Sequence, residues 1–294
     1  MTIDELIKKG LNDLEKNEIT KEDTQSVFSS ICTQIEDICK EHEIYENKTL
    51  KGAHQQFWEN YLGAKLLEFY DVKRNPKDGS PDFYFEHNGK IIHIEAKAPE
   101  DASKPEFMTQ EIPMVDVSML SQEDYRESFQ AGLVNPNNAI LRFTSILDTT
   151  INKQIKGTFL ESGVVKSEDY VILAINGHQV VKNSEPKKNI SADPIAVGFR
   201  IICALKGLTG KEFFNIDTNR AYKEVGHPYK NGSDIKNDYF CKDNDTPIAG
   251  VLYSNIGVTN ILSNNEPFIF IPNPEYEDLR DLFPFATPVD IITI

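Results

Sequence analysis

The chain has 294 residues, 39% hydrophobic and 26% charged, the balance of a folded protein with a sizeable core. No apolar run approaches the roughly 20 residues of a membrane helix, and no apolar stretch follows the lysines of MTIDELIKKGLNDLEKNE. A membrane partner and a secretory leader are therefore not expected, and the cytoplasm is the expected compartment. The net charge of −15 argues against a protein that simply coats nucleic acid, although residues 151–250 hold 14 Lys and Arg against 12 Asp and Glu.

In chain order, residues 3–17 and 21–42 are predicted helices. The second carries Val27, Phe28, Ile31, Cys32, Ile35, Ile38 and Cys39 at helical spacing. Together they form a helical N-terminal extension over residues 1–50, whose apolar stripe serves core packing or a partner. None of the four cysteines forms a CxxC pair, so they are expected to be buried small hydrophobes. Residues 53–69 are predicted as an amphipathic helix, and 70–74 as a short strand. Pro76 and Gly79 turn the chain. The alternating run 81–87 is a strand, Asn88-Gly89 the hairpin dipeptide of a type I′ turn, and 90–98 the partner strand.

Residues 99–140 contain four prolines and are predicted as a long irregular insertion, with a helix possible at 121–132. A helix over 144–162 ends at Gly163. The continuous apolar run 168–176 suits a central strand covered on both faces. A helix over 193–206 and strands at 247–254 and 267–271 complete the pattern, with a loop-like stretch between 207 and 246. One domain is expected over 51–294, carrying the insertion and C-terminal additions.

Chemistry concentrates in the hairpin. Side chains alternate along a strand, so His93, Glu95 and Lys97 share one face while Ile92, Ile94 and Ala96 point to the core. Asp82 opens the neighbouring strand, and pairing through the tight turn brings it to the same polar edge. Two carboxylates are hard ligands suited to Mg²⁺ or Mn²⁺. Such an ion polarises a phosphate and lowers the pKa of a water. A lysine beside it orients or deprotonates that water, and the Ala96 carbonyl is a further metal ligand. An isolated ExK or Pro-Asp is usually an ordinary charged strand or turn; their meeting in one hairpin behind a helix is what points to chemistry.

Pro81-Asp82, twelve residues, then Glu95-Ala96-Lys97 resembles the PD-(D/E)XK nuclease superfamily. So does the order helix, three strands, helix, strand over about residues 54–176. The resemblance implies an α/β restriction-endonuclease-like fold, a mixed central sheet flanked by helices. It also implies Mg²⁺-dependent (or Mn²⁺-dependent) hydrolysis of a nucleic-acid phosphodiester, with DNA as the expected substrate and a homodimer as one possible assembly. Asp82 and Glu95 would hold the metal and Lys97 would act on the water.

In that family the first core helix often lends a carboxylate, for which Glu59 is preferred over Glu68 because Gly63 leaves room beside it. The helix after the motif commonly supplies a polar residue, here Gln154. Arg142, Lys153, Lys156 and His93 are candidates for nucleic-acid contact, with a solvated or structural role as the competing reading of each. The functional rivals are a retired nuclease fold that binds nucleic acid or protein, and a structural module docking through its N-terminal helices.

Overall fold

The computed structural model describes residues 2–15, 21–45, 52–75, 79–99, 136–178, 201–202, 204–205, 228–229, 233–234, 239–240, 246–257, 261 and 268–289. The predicted helix at 121–132, most of that at 193–206, and Cys203 and Cys241 lie outside them. The chain divides into two compact units, residues 1–98, 150–178 and 246–291 in the first, and 99–149, 179–245 and 292–294 in the second. The N-terminal helices thus belong to the same unit as the hairpin. No helix among the described residues is long and apolar enough to cross a membrane.

The first unit is built on a seven-stranded mixed sheet. Its strands are β1 (Lys73–Arg74), β2 (Phe83–His87), β3 (Lys90–Lys97), β4 (Tyr170–Asn176), β7 (Gly250–Ser254), β8 (Phe268–Pro272) and β9 (Ala286–Pro288), adjacent in that order. β1, β2 and β3 pair antiparallel; β3, β4 and β7 pair parallel; β8 returns antiparallel to β7. Asn88 and Gly89 both have positive φ, 50° and 73°, which is what a type I′ turn requires. The register Phe83↔Ile94 and Tyr84↔His93 follows from that turn. β4 is central and its residues 171–176 are buried, as its unbroken apolar run predicts.

Helices α1 (Ile3–Glu15), α2 (Lys21–Glu41) and α3 (Ala53–Leu67) contribute to one core with the face of the sheet that carries Phe83, Ile92, Ile94, Ile172, Leu252 and Phe270. The sequence predicts α3 to be amphipathic, with a solvent face. Instead every residue from Phe57 to Leu66 is buried. The cause is the docked N-terminal hairpin: α2 packs on α3, with the Cys39 thiol donating to the Asn60 carbonyl at 3.2 Å. Burial pushes the Cys39 pKa up to about 12, so the thiol acts as a packing group. α1 is clipped to α3 by charge: Lys65 Nζ lies 3.1 Å from Asp4 and 2.9 Å from Glu68, and Glu68 accepts the Ile3 N–H at 2.6 Å.

The helix predicted at 144–162 begins earlier and changes character. It is α-helical over Pro136–Asp148 (α4) and π-helical over Thr149–Leu160. Thr150, Ile151, Ile155 and Phe159 are its buried residues, and Gly163 closes it at φ 70°. In the second unit, the short strands β5 (Pro228–Tyr229) and β6 (Ser233–Asp234) pair antiparallel. There Tyr239 donates to Asp148 at 3.2 Å, and the Phe240 N–H to the Leu205 carbonyl at 3.2 Å.

Candidate active site

The register places Asp82, one residue before Phe83, across from Glu95, one residue after Ile94. Both lie at the end of the hairpin remote from its turn. The pleat then directs Glu95 and Lys97 to the face opposite Ile94 and Ala96. Asp82 is 8% exposed and Glu95 4%. Asp82 Oδ2 accepts the Ala96 N–H at 2.9 Å, which ties the Pro-Asp turn to the neighbouring strand. Asn75 steadies the same turn by donating to the Pro81 carbonyl at 2.7 Å. Lys97 Nζ donates to Glu95 Oε1.

Burial, the largest single influence, pushes the Lys97 pKa down. The carboxylates of Glu95, Asp82 and Glu59 outweigh it, and the net shift is upward. At neutral pH Lys97 is therefore an ammonium.

Glu59 is fully buried on α3. A carboxylate there requires a cation and donors, because an unmatched buried charge is prohibitively costly. Arg74 supplies the charge: its Nη2 lies 3.2 Å from Glu59 Oε2 and 3.8 Å from Asp82 Oδ1. Gln55 supplies a donor, its Nε2 lying 2.8 Å from Glu59 Oε1. The same amide donates to the Ala96 carbonyl at 3.0 Å and accepts the Ala98 N–H at 2.6 Å, so it grips β3 on both sides of Lys97. Arg74 and Gln55 belong to no motif. What signals them in the sequence is indirect: a glutamate amid apolar residues must find a buried cation nearby, and a glutamine one turn before it is in reach.

Four predicted residues thus gather at one end of the sheet: Glu95 and Lys97 bonded to each other, Asp82 tied in through the Ala96 N–H, and Glu59 through Arg74. They do not form the three-carboxylate metal set expected of Asp82, Glu95 and Glu59. Among the described residues, no three His, Cys, Asp or Glu side chains gather into a group able to hold a metal ion. The physical reason is that both Glu59 oxygens are turned to Gln55 and Arg74. The room at Gly63 is likewise taken by packing and not left for Glu59, since a Cβ there would stand 2.9 Å from Ile44 and 3.2 Å from Phe83.

His93 is 4% exposed and pairs through Nε2 with Asp169 at 3.2 Å, which is the structural one of the two roles expected for it. Lys153, Gln154 and Lys156 lie on the π-helix. Lys153 is exposed, and Gln154 and Lys156 are partly buried. The Gln154 side-chain oxygen is enclosed and meets no hydrogen-bond donor among the described residues. Arg142 is on α4, in the second unit, and partly buried.

The donor set fits a hard dication in its chemistry. Mg²⁺ retains several waters and is commonly held by one or two carboxylates. Asp82 and Glu95 are such a pair, and the Ala96 carbonyl, with two lone pairs, has one left after Gln55. Compared with protein-family models, with curated proteins and with solved structures, the chain matches none.

Proposed function

We propose that the chain is a Mg²⁺-dependent endonuclease of the PD-(D/E)XK type that hydrolyses a nucleic-acid phosphodiester, with DNA as the first substrate to test, in restriction, defence or repair. The observation that carries this reading is Asp82, immediately before β2, tied through Oδ2 to the Ala96 N–H beside Glu95, with Lys97 bonded to Glu95 on the same face of β3.

Asp82, Glu95 and the Ala96 carbonyl would hold the ion, which when bound polarises the scissile phosphate and lowers the pKa of a water. Lys97, already charged, orients the attacking water and offsets charge building on the phosphoryl oxygens. Arg74 and Gln55 keep Asp82, Glu59 and the end of β3 in fixed relation, so the charged groups need no rearrangement as the reaction proceeds.

The test is incubation of wild type and Lys97→Ala with supercoiled plasmid, linear duplex, single-stranded DNA and RNA, in Mg²⁺, Mn²⁺ or EDTA. Metal-dependent cleavage should fall by about 100-fold or more in the variant, the scale seen when a transition-state donor is removed. Cleavage that survives Lys97→Ala, or that persists in EDTA, would overturn the mechanism.

One observation favours a second reading, a retired nuclease fold that binds without cutting. Each of the three carboxylates already meets a fixed cation, so the cluster is nearly balanced with no ion added. Binding of nucleic acid with no cleavage of any substrate, and no metal uptake, would select it.

A further inference from the structure

We propose that Arg74 stands where a second dication would otherwise bind, so that the site takes one metal ion and not two. The inference rests on the metal-dependent reading above and deepens it. Two-metal phosphodiesterases hold their ions roughly 3.5–4 Å apart between shared carboxylates. Asp82 has a carboxylate neighbour on each side: Glu95 across the strand pair, and Glu59 from α3. In the reading proposed above, the ion sits on the Asp82–Glu95 side. On the Asp82–Glu59 side the space between the carboxylates holds the Arg74 guanidinium, 3.2 Å from one and 3.8 Å from the other.

Arg74 is held there from several directions. Its Nη1 donates to the Ile44 carbonyl at 3.1 Å, and its guanidinium carbon lies 5.5 Å from the centre of the Phe83 ring. Its side chain is 9% exposed. Glu59 is fixed opposite it, because Gln55 ties the other carboxylate oxygen to the end of β3. Charge points the same way: Arg74 already sets a cation between Glu59 and Asp82, and a dication added beside it would meet a like charge in a buried setting, where uncompensated charge is strongly disfavoured.

The experiment is titration of the full chain with Mn²⁺ alone, counting bound ions by calorimetry and reading their spacing by electron paramagnetic resonance. Wild type should bind one Mn²⁺ with the signal of an isolated ion. Arg74→Gln should bind two, with spin–spin coupling between them, and Arg74→Lys, which keeps the charge, should bind one. Two coupled ions in wild type overturn the inference while leaving the metal-dependent reading intact, and so does a folded Arg74→Gln that stays at one. No Mn²⁺ uptake by wild type overturns both. If Arg74→Gln fails to fold, Arg74→Met is titrated in its place, with the same two outcomes.

Discussion

Glu59 and Arg74 form a buried ion pair, with side-chain exposures of 0% and 9%. Removing one member of such a pair leaves the other charged and enclosed, which costs about 3–5 kcal/mol. Glu59→Ala should therefore lower the free energy of unfolding by about 3 kcal/mol in a urea titration, and Glu59→Gln by less, since the amide keeps a hydrogen-bonding group beside Arg74. Wild-type stability in both variants would mean the pair contributes nothing.

His93 makes a pH prediction. Burial, its larger influence, lowers its pKa below 6.5, and the hydrogen bond and charge of Asp169 offset only part of this. The unfolded state then takes up a proton more readily than the folded state. His93 thus contributes stability that is present above pH 6.5 and lost as pH falls through its lowered folded value. The urea midpoint should drop between pH 7 and pH 5, and drop less in His93→Gln; identical slopes would exclude the residue as a source. At this scale the sequence was legible where chemistry is written in a motif. Asp82, Glu95 and Lys97 stand as the hairpin pattern requires. Arg74 and Gln55 were not legible, because their importance comes from a neighbour's burial and not from their own spacing.

At the scale of elements, the hairpin was the most readable part. Asn88-Gly89 sets the turn, the turn sets the register, and the register aligns Asp82 with Glu95. The sequence of α3 patterns as amphipathic because its outer neighbour, α2, lies 12 or more residues away in sequence, where periodicity carries no information. The π-helix was not legible either, since an apolar spacing of four, Ile151, Ile155, Phe159, suits an α-helix equally well. The packing itself yields predictions. Ile35 is 1% exposed in the core shared by α1, α2 and α3, so Ile35→Ala should cost about 2–5 kcal/mol. Gly250 opens β7 with the Phe270 ring so close that a Cβ would stand 2.6 Å from it. Gly250→Ala should destabilise by about 1–3 kcal/mol through overpacking. Denaturant midpoints at unchanged slope would measure both, and a neutral result at Gly250 would mean Phe270 can swing aside.

For the whole molecule, a ligand held only by the folded state adds to the free energy of unfolding. With Mg²⁺ at a hundredfold excess over its dissociation constant, the gain should be about 2.7 kcal/mol. That gain should vanish in Asp82→Asn. A gain that persists in the variant would place the bound ion elsewhere in this acidic chain.

The core of the first unit also constrains when the protein can assemble during synthesis. Trp58 and Tyr61, on the helix that carries Gln55 and Glu59, stack on Phe268 of β8 with ring centres 5.9 and 6.0 Å apart. Tyr70 donates to the Leu282 carbonyl. These partners leave the ribosome some two hundred residues apart, and contacts of such high sequence separation are slow to form. The helix must wait, with its aromatic face uncovered, until the last strands emerge. A chain arrested before β8 would therefore hold every residue of the Asp82–Lys97 motif and still lack the wall that seats α3 against it.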